Sequence, residues 1–137
     1  MGDAIEIKTN WKKKYSLDLE SSLLSWIQDV TGEDLSEIKG HDQFRQKFKT
    51  GVTLCQLMNK INPGCIKTYN KNPKLPFQQM ENIGFVNQAM REYGVQSEYI
   101  FVTADLHQGK NLVTVQLGLR NLGDKATANG FQPAFKL

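Results

Sequence analysis

Two cysteines and two histidines are the side chains of this sequence best suited to nucleophilic or metal chemistry. Cys55 with His107 would make the pair a thiol hydrolase needs, a nucleophile and the base that activates it. Cys55, however, falls inside a helical apolar pattern, where burial disfavours the thiolate. Cys65 follows the turn Asn62-Pro63-Gly64. Both read as reduced, packed thiols of a reducing compartment. His41 and His107 stand in polar links far apart in the chain, and neither an H-x-x-x-H nor a C-x-x-C spacing is present, so no metal site is expected. There is no G-x-x-x-x-G-K-[ST] or G-x-G-x-x-G loop to cradle a nucleotide, and no EF-hand loop. Gly109-Lys110 opens a helix, where backbone N–H groups can hold an anion; a turn glycine at a helix boundary is the plainer reading. No enzyme activity and no cofactor are expected.

Binding needs only surface. Three basic clusters are placed to meet an acidic partner: Lys12, Lys13 and Lys14 beside Trp11; Arg45, Lys47 and Lys49; and Lys67, Lys71 and Lys74. Each is more often simply a solvated face, and the formal net charge of +3 permits an acidic partner without demanding one. Nucleic acid is not expected, because basic charge is sparse, no groove-reading helix is evident, and the aromatics fall on core faces rather than on a stacking platform. No apolar run approaches the roughly 20 residues of a membrane span. The opening MGDAIEIKTN lacks a signal-peptide apolar region, and Glu6 stands where a myristoylation signal would have Ser or Thr. A cytoplasmic protein without membrane insertion is the expectation.

The elements that must position these residues are helical. Pro76 to Gly94 is the central one: Met80, Ile83, Phe85, Val86, Ala89, Met90 and Tyr93 share an arc wider than half the circumference. Glu81, Gly84, Asn87, Gln88, Arg91 and Glu92 take the remainder. A helix so broadly apolar is covered on more than one side. Asn82 lies within that arc, so its amide should be buried and hydrogen-bonded. An earlier helix, 17–30, carries Leu19, Leu23, Trp26, Ile27 and Val30, with Ser16 or Asp18 as cap and Gly32 as stop. Phe44 and Phe48 lie one turn apart in a short segment. Val52 to Ile61 is a further helix, and Lys110 to Leu122 is the last, with Leu112, Val115, Leu119 and Leu122 as its stripe and Gly123 as its stop. Residues 65–75 read as a solvated loop. Tyr99 to Val102 has no partner strand and reads as an apolar connection into a short turn at 103–106. Residues 124–137 carry no helical period and read as a tail. The 137 residues suffice for a single all-α domain with a real core.

In register, these residues resemble a calponin-homology domain of the single-copy calponin and transgelin type. The matching signatures are Leu24 with Trp26-Ile27; Gly51-Val52 with Leu54-Cys55 and Leu57; Asn59-Lys60-Ile61-Asn62-Pro63-Gly64; Met80-Glu81-Asn82-Ile83 with Phe85; Tyr93-Gly94-Val95; Ala104-Asp105-Leu106; and Asn111 with Val115 and Leu119. The resemblance implies a compact bundle of four main helices with two or three short ones, its central buried helix at about 76–94. It divides the chain into a basic arm (1–14), a calponin-homology domain (15–126) and a tail (127–137), with Trp26, Leu57, Asn82, Ile83, Phe85, Tyr93 and Leu119 in the structural core.

The function it implies is non-enzymatic: association with or bundling of actin filaments. Lys12, Lys13, Lys14, Lys47, Lys49, Gln96, Gly109, Lys110 and Asn111 are the candidate contacts, and a cytoskeleton-associated monomer is expected. The alternative is a signalling adaptor that docks a regulatory protein to the cytoskeleton, with Phe131, Phe135 and Leu137 as a docking peptide; microtubule binding ranks below both. The sequence shows no second homology domain and none of the glycine-rich modules that follow the domain in calponins. A single lysine patch gives weak, salt-screened attachment that a second linked site would strengthen.

Overall fold

The structure, a computed structural model, describes residues 14–137. Among them are six α-helices and one 3₁₀ turn, and no strand. Helix α1 spans Leu17–Thr31. The Ser16 hydroxyl accepts the Leu19 N–H at 3.0 Å and starts it, and Gly32 ends it in the left-handed conformation at φ +77. Helix α2, His41–Phe48, is a short amphipathic piece whose Phe44 and Phe48 are fully buried with ring centroids 4.7 Å apart. Helix α3 spans Val52–Ile61, α4 Pro76–Tyr93, α5 Thr103–His107 and α6 Leu112–Ala128; the 3₁₀ turn is Ser97–Tyr99.

Helix α4 packs chiefly against α3 and also against α5, while α1 lies across α3 and α6. Ile83, Val86, Ala89 and Met90 face the core; Glu81, Gly84, Gln88, Arg91 and Glu92 stay in solvent. Phe85 and Tyr93 are half-buried at its margin, packed against the core from outside. Trp26, Leu57, Asn82, Ile83 and Leu119 are buried. Asn87, assigned by periodicity to the solvent side, is buried as well, and its Oδ1 has no hydrogen-bond partner among the described residues. None of the described helices is long and apolar enough to cross a membrane.

Asn82 ties α4 to two loops at once. Its Nδ2 donates to Thr50 O at 2.9 Å and to Asn70 O at 2.8 Å, and its Oδ1 accepts the Asn70 backbone N–H at 2.8 Å. The 65–75 segment is therefore anchored rather than merely solvated. Close approach has a backbone consequence at Gly51, the N-cap of α3. There φ is +76, and a Cβ would lie 2.5 Å from Asn82 Cβ, so only glycine fits.

The last helix departs from its expected end. Gly123 was expected to stop it, yet α6 continues to Ala128. The glycine is there for packing: a Cβ on Gly123 would come within 2.7 Å of Phe135 Cγ. Helical propensity alone would read such a residue as a terminator. Beyond α6 the chain folds back. The Trp26 indole N–H donates to Pro133 O at 2.8 Å, and Phe135 is buried edge-on against Trp26. Phe135 is thus withdrawn from the docking peptide expected in this segment, because its ring is core; Leu137 remains exposed and Phe131 is half-buried.

Candidate functional site

Two stretches that are separate in sequence, 45–49 at the end of α2 and 107–111 from the end of α5 to the cap of α6, meet on one surface. Arg45 makes the join. Its Nε and Nη2 both donate to the His107 carbonyl, at 3.1 and 2.5 Å. Its aliphatic stem lies so close to Gly109 that a Cβ there would stand 2.7 Å from Arg45 Cδ, and Gly109 itself has φ +69. A side chain at 109 would meet both a steric and a backbone objection. Arg45 is therefore an internal strut rather than a free cation.

The turn it braces is fully committed to its own hydrogen bonds. Gly109 N donates to Leu106 O, Lys110 N to Ala104 O, and Asn111 N to Asp105 O. Asn111 caps α6, its side chain accepting the Thr114 N–H at 3.2 Å. The anion reading of Gly109-Lys110 loses support for that reason: the amides of Gly109, Lys110 and Asn111 already have carbonyl partners. The charged side chain the turn offers to solvent is the exposed Lys110, beside exposed Gln108 and Asn111, and it pairs with no carboxylate among the described residues.

Across the same surface, His107 Nε2 lies 2.9 Å from Gln79 Oε1, which links α5 to the first turns of α4. Burial, then the nearby positive charges of Lys49 and Arg45, hold the His107 imidazole below its ordinary pKa. It is neutral at physiological pH. Lys49 is half-buried and its ammonium, like that of Lys110, has no carboxylate partner among the described residues. Lys47 differs. It pairs with Glu33, which also accepts the Thr53 hydroxyl at 3.1 Å, so its charge is largely spent inside the protein.

The remaining candidates are dispersed. Lys12 and Lys13, with Trp11, lie outside the described residues. Lys14 is exposed at the approach to α1. Gln96 is exposed beside the 3₁₀ turn, which packs on the middle of α6 near Gly118, far along the helix from Asn111 at its start. The structure thus gathers Lys49, Gly109, Lys110 and Asn111 around Arg45 and leaves Gln96 apart.

Sequence reasoning passed over Arg45 as a strut, His107 and Gln79 as its surroundings, and the buried Glu20. Glu20 accepts the Tyr15 hydroxyl at 2.6 Å and the Gly40 N–H at 3.0 Å, fixing the start of α1 to the start of α2; burial and this carboxylate push the Tyr15 phenol pKa up. A local signal for Glu20 existed, since it shares a helix face with Leu24 and Ile27. No local signal joins residue 45 to residue 107.

The Cys55 thiol is fully buried and its pKa is pushed up to about 12, chiefly by burial. Among the described residues, no three His, Cys, Asp or Glu side chains converge on a point.

Comparison with known proteins is consistent along the chain. The family model described as calponin homology (CH) domain matches residues 17–128. Myophilin of Echinococcus granulosus is 38% identical over 122 residues, a span covering 89% of this chain and 63% of that protein. Calponin-2 of Bos taurus is 35% identical over 131 residues, covering 96% of this chain and 40% of that protein. The chain therefore spans between two fifths and two thirds of the length of these relatives. Among solved structures, the calponin-homology domain of an IQGAP protein from Schizosaccharomyces pombe superposes with a TM-score of 0.74 at 22% identity, covering 88% of this chain and 74% of that one. That of Rng2, also from Schizosaccharomyces pombe, gives 0.73 at 24%, with the same coverage. Likeness at that identity speaks for the fold alone.

Proposed function

This chain belongs to the calponin-homology family, and from that premise we propose that it is a non-enzymatic, cytoplasmic, cytoskeleton-associated module that binds actin filaments through the Lys49–Lys110 surface. The observation that carries the reading is the Arg45 strut. It spends one cation internally and braces the turn that carries Lys110 against the end of α2 that carries Lys49, two lysines with no carboxylate partner among the described residues. An acidic filament is the complementary partner for such a face. The calponin-like relatives support the same class of partner.

Two lysines supply little energy. Exposed ion pairs contribute about 0.2–1 kcal/mol each, so attachment of this domain alone is weak, in the micromolar range or above (about −8 kcal/mol or less negative). Bundling needs two filament contacts, and Lys14 with the preceding basic arm is the proposed second one.

Co-sedimentation with actin filaments at low and physiological salt tests the reading. Pelleting is expected at low salt and should fall as the Debye length shrinks to about 8 Å at 0.15 M. The Lys49→Glu, Lys110→Glu double variant should pellet about five- to tenfold less well. An unchanged double variant, or no pelleting at either salt, overturns it. Microtubules run in parallel show whether charge alone decides, because equal pelleting with both polymers removes the preference for actin.

A further inference from the structure

The segment after α6 is held to the domain unlike the other connections. Three groups of the domain meet it. The Trp26 indole N–H donates to Pro133 O at 2.8 Å. The Thr127 hydroxyl accepts the Phe135 N–H at 2.8 Å while donating to Gly123 O at 2.8 Å. The bare face of Gly123 takes the Phe135 ring, which stands edge-on to the Trp26 ring with centroids 5.6 Å apart and planes at 74°. The three nearest atoms to a Cβ on Gly123 all belong to Phe135, so the tail is what the glycine makes room for. Between and beyond these anchors the segment is open: Gln132, Lys136 and Leu137 are exposed, and Gly130 turns the chain at φ +87.

We propose that the slot bounded by Trp26, Gly123 and Thr127 is a binding site for an extended Pro-x-Phe peptide, closed in this chain by its own residues 131–137 and open to a partner chain bearing the same segment when that tail is displaced. The recognition is that of a peptide. The slot reads one carbonyl, one amide N–H two residues further on, and one aromatic ring, and none of these requires covalent continuity with α6. Extended-peptide sites commonly combine main-chain hydrogen bonds for affinity with a side-chain pocket for selectivity. Burial of a single large aromatic anchor in a pocket is how such contacts gain most of their strength. The tethered tail competes at an effective concentration of about millimolar, so an outside peptide enters only as the tail is weakened. The slot lies between α1 and the C-terminal half of α6, and the inference is independent of the filament reading.

The test uses the full chain with Trp11→Phe, which leaves Trp26 as the only indole, and the synthetic peptide GFQPAFKL. Binding is read from the Trp26 indole N–H resonance and its fluorescence. The Phe135→Ala chain should bind the peptide and regain the Trp26 signals of the parent. The parent chain should bind it at least tenfold more weakly, by competition of its tethered tail. The peptide carrying Phe135→Ala should bind neither, and adding Gly123→Ala to the Phe135→Ala chain should abolish binding by filling the slot. A Phe135→Ala chain that is folded by circular dichroism yet leaves Trp26 unmoved at millimolar peptide overturns the proposal. So does equal binding with and without Gly123→Ala. If Phe135→Ala does not fold, Phe135→Leu weakens the tail without emptying its place and is read by the same criteria.

Discussion

Asn82 and the Trp26–Gly123 slot do the same job with opposite means. Each ties a non-helical segment to a helix: Asn82 holds the 65–75 loop to α4, and the slot holds residues 131–137 across α1 and α6. At Asn82 the tie is a buried amide whose donors and acceptor are all matched, with Gly51 admitted at van der Waals limit beside it. At the slot it is one ring and two hydrogen bonds, surrounded by exposed residues. A matched buried polar network is costly to open because every member loses its partner in a medium without water. A ring on a glycine face can leave and be replaced. The first contact fixes the fold, and the second leaves room for exchange.

The sharpest way to break this contrast is Asn82→Ala. It strands Thr50 O, Asn70 O and the Asn70 N–H together, and a loss of about 3 kcal/mol is expected in urea unfolding, at about 1–3 kcal/mol for each buried group left unpaired. A loss below about 1 kcal/mol would place the amide network on a par with the slot and erase the distinction.

Gly123→Ala comes next. Ejecting the Phe135 ring costs about 1.5–3 kcal/mol of burial, offset by up to about 1 kcal/mol of helix propensity. A net loss of about 1–2 kcal/mol is expected, with α-helical circular dichroism retained and Trp26 emission shifted to the red. Gly84→Ala is the matched control. Gly84 is exposed within α4 and a Cβ there meets nothing within 4 Å, so the same substitution should stabilise by about 0.5–1 kcal/mol. Equal signs at 84 and 123 would mean that the tail is not seated on Gly123.

The smallest effect concerns His107. Its folded-state pKa is held below the ordinary value, so the unfolded chain takes up the proton more readily. Stability is then full above the unfolded value of about 6.5 and declines as pH falls through it. The melting temperature should drop modestly between pH 7 and 5.5, and His107→Gln should flatten that drop. A steeper drop in the variant would reverse the sign assigned to this group.

The apolar period was enough to place α1, α3 and α4 near their true bounds, because burial of a helix face leaves a mark every three to four residues. It failed at Asn87 and Gly123 for one reason. Whether a residue is covered depends on which element arrives from elsewhere, and periodicity within a helix cannot report that. Gly123 looks like a stop until Phe135 is laid upon it. The basic surface was legible as lysines and illegible as a surface: Lys47 and Lys49 are two residues apart in sequence, yet one is paired to Glu33 and the other faces His107.

By itself, then, the order of residues determined an all-helical chain, its caps and turns, and a buried central helix carrying a polar side chain that had to find partners. Those are local properties, set by backbone conformation and by the need to hide apolar side chains from water. Tertiary structure alone decided which lysine has a carboxylate partner among the described residues, that Arg45 is a strut, and that residues 133–135 are folded onto Trp26. Such contacts join residues 62 to 109 positions apart (45 to 107, and 26 to 135), and no local preference encodes a meeting at that distance.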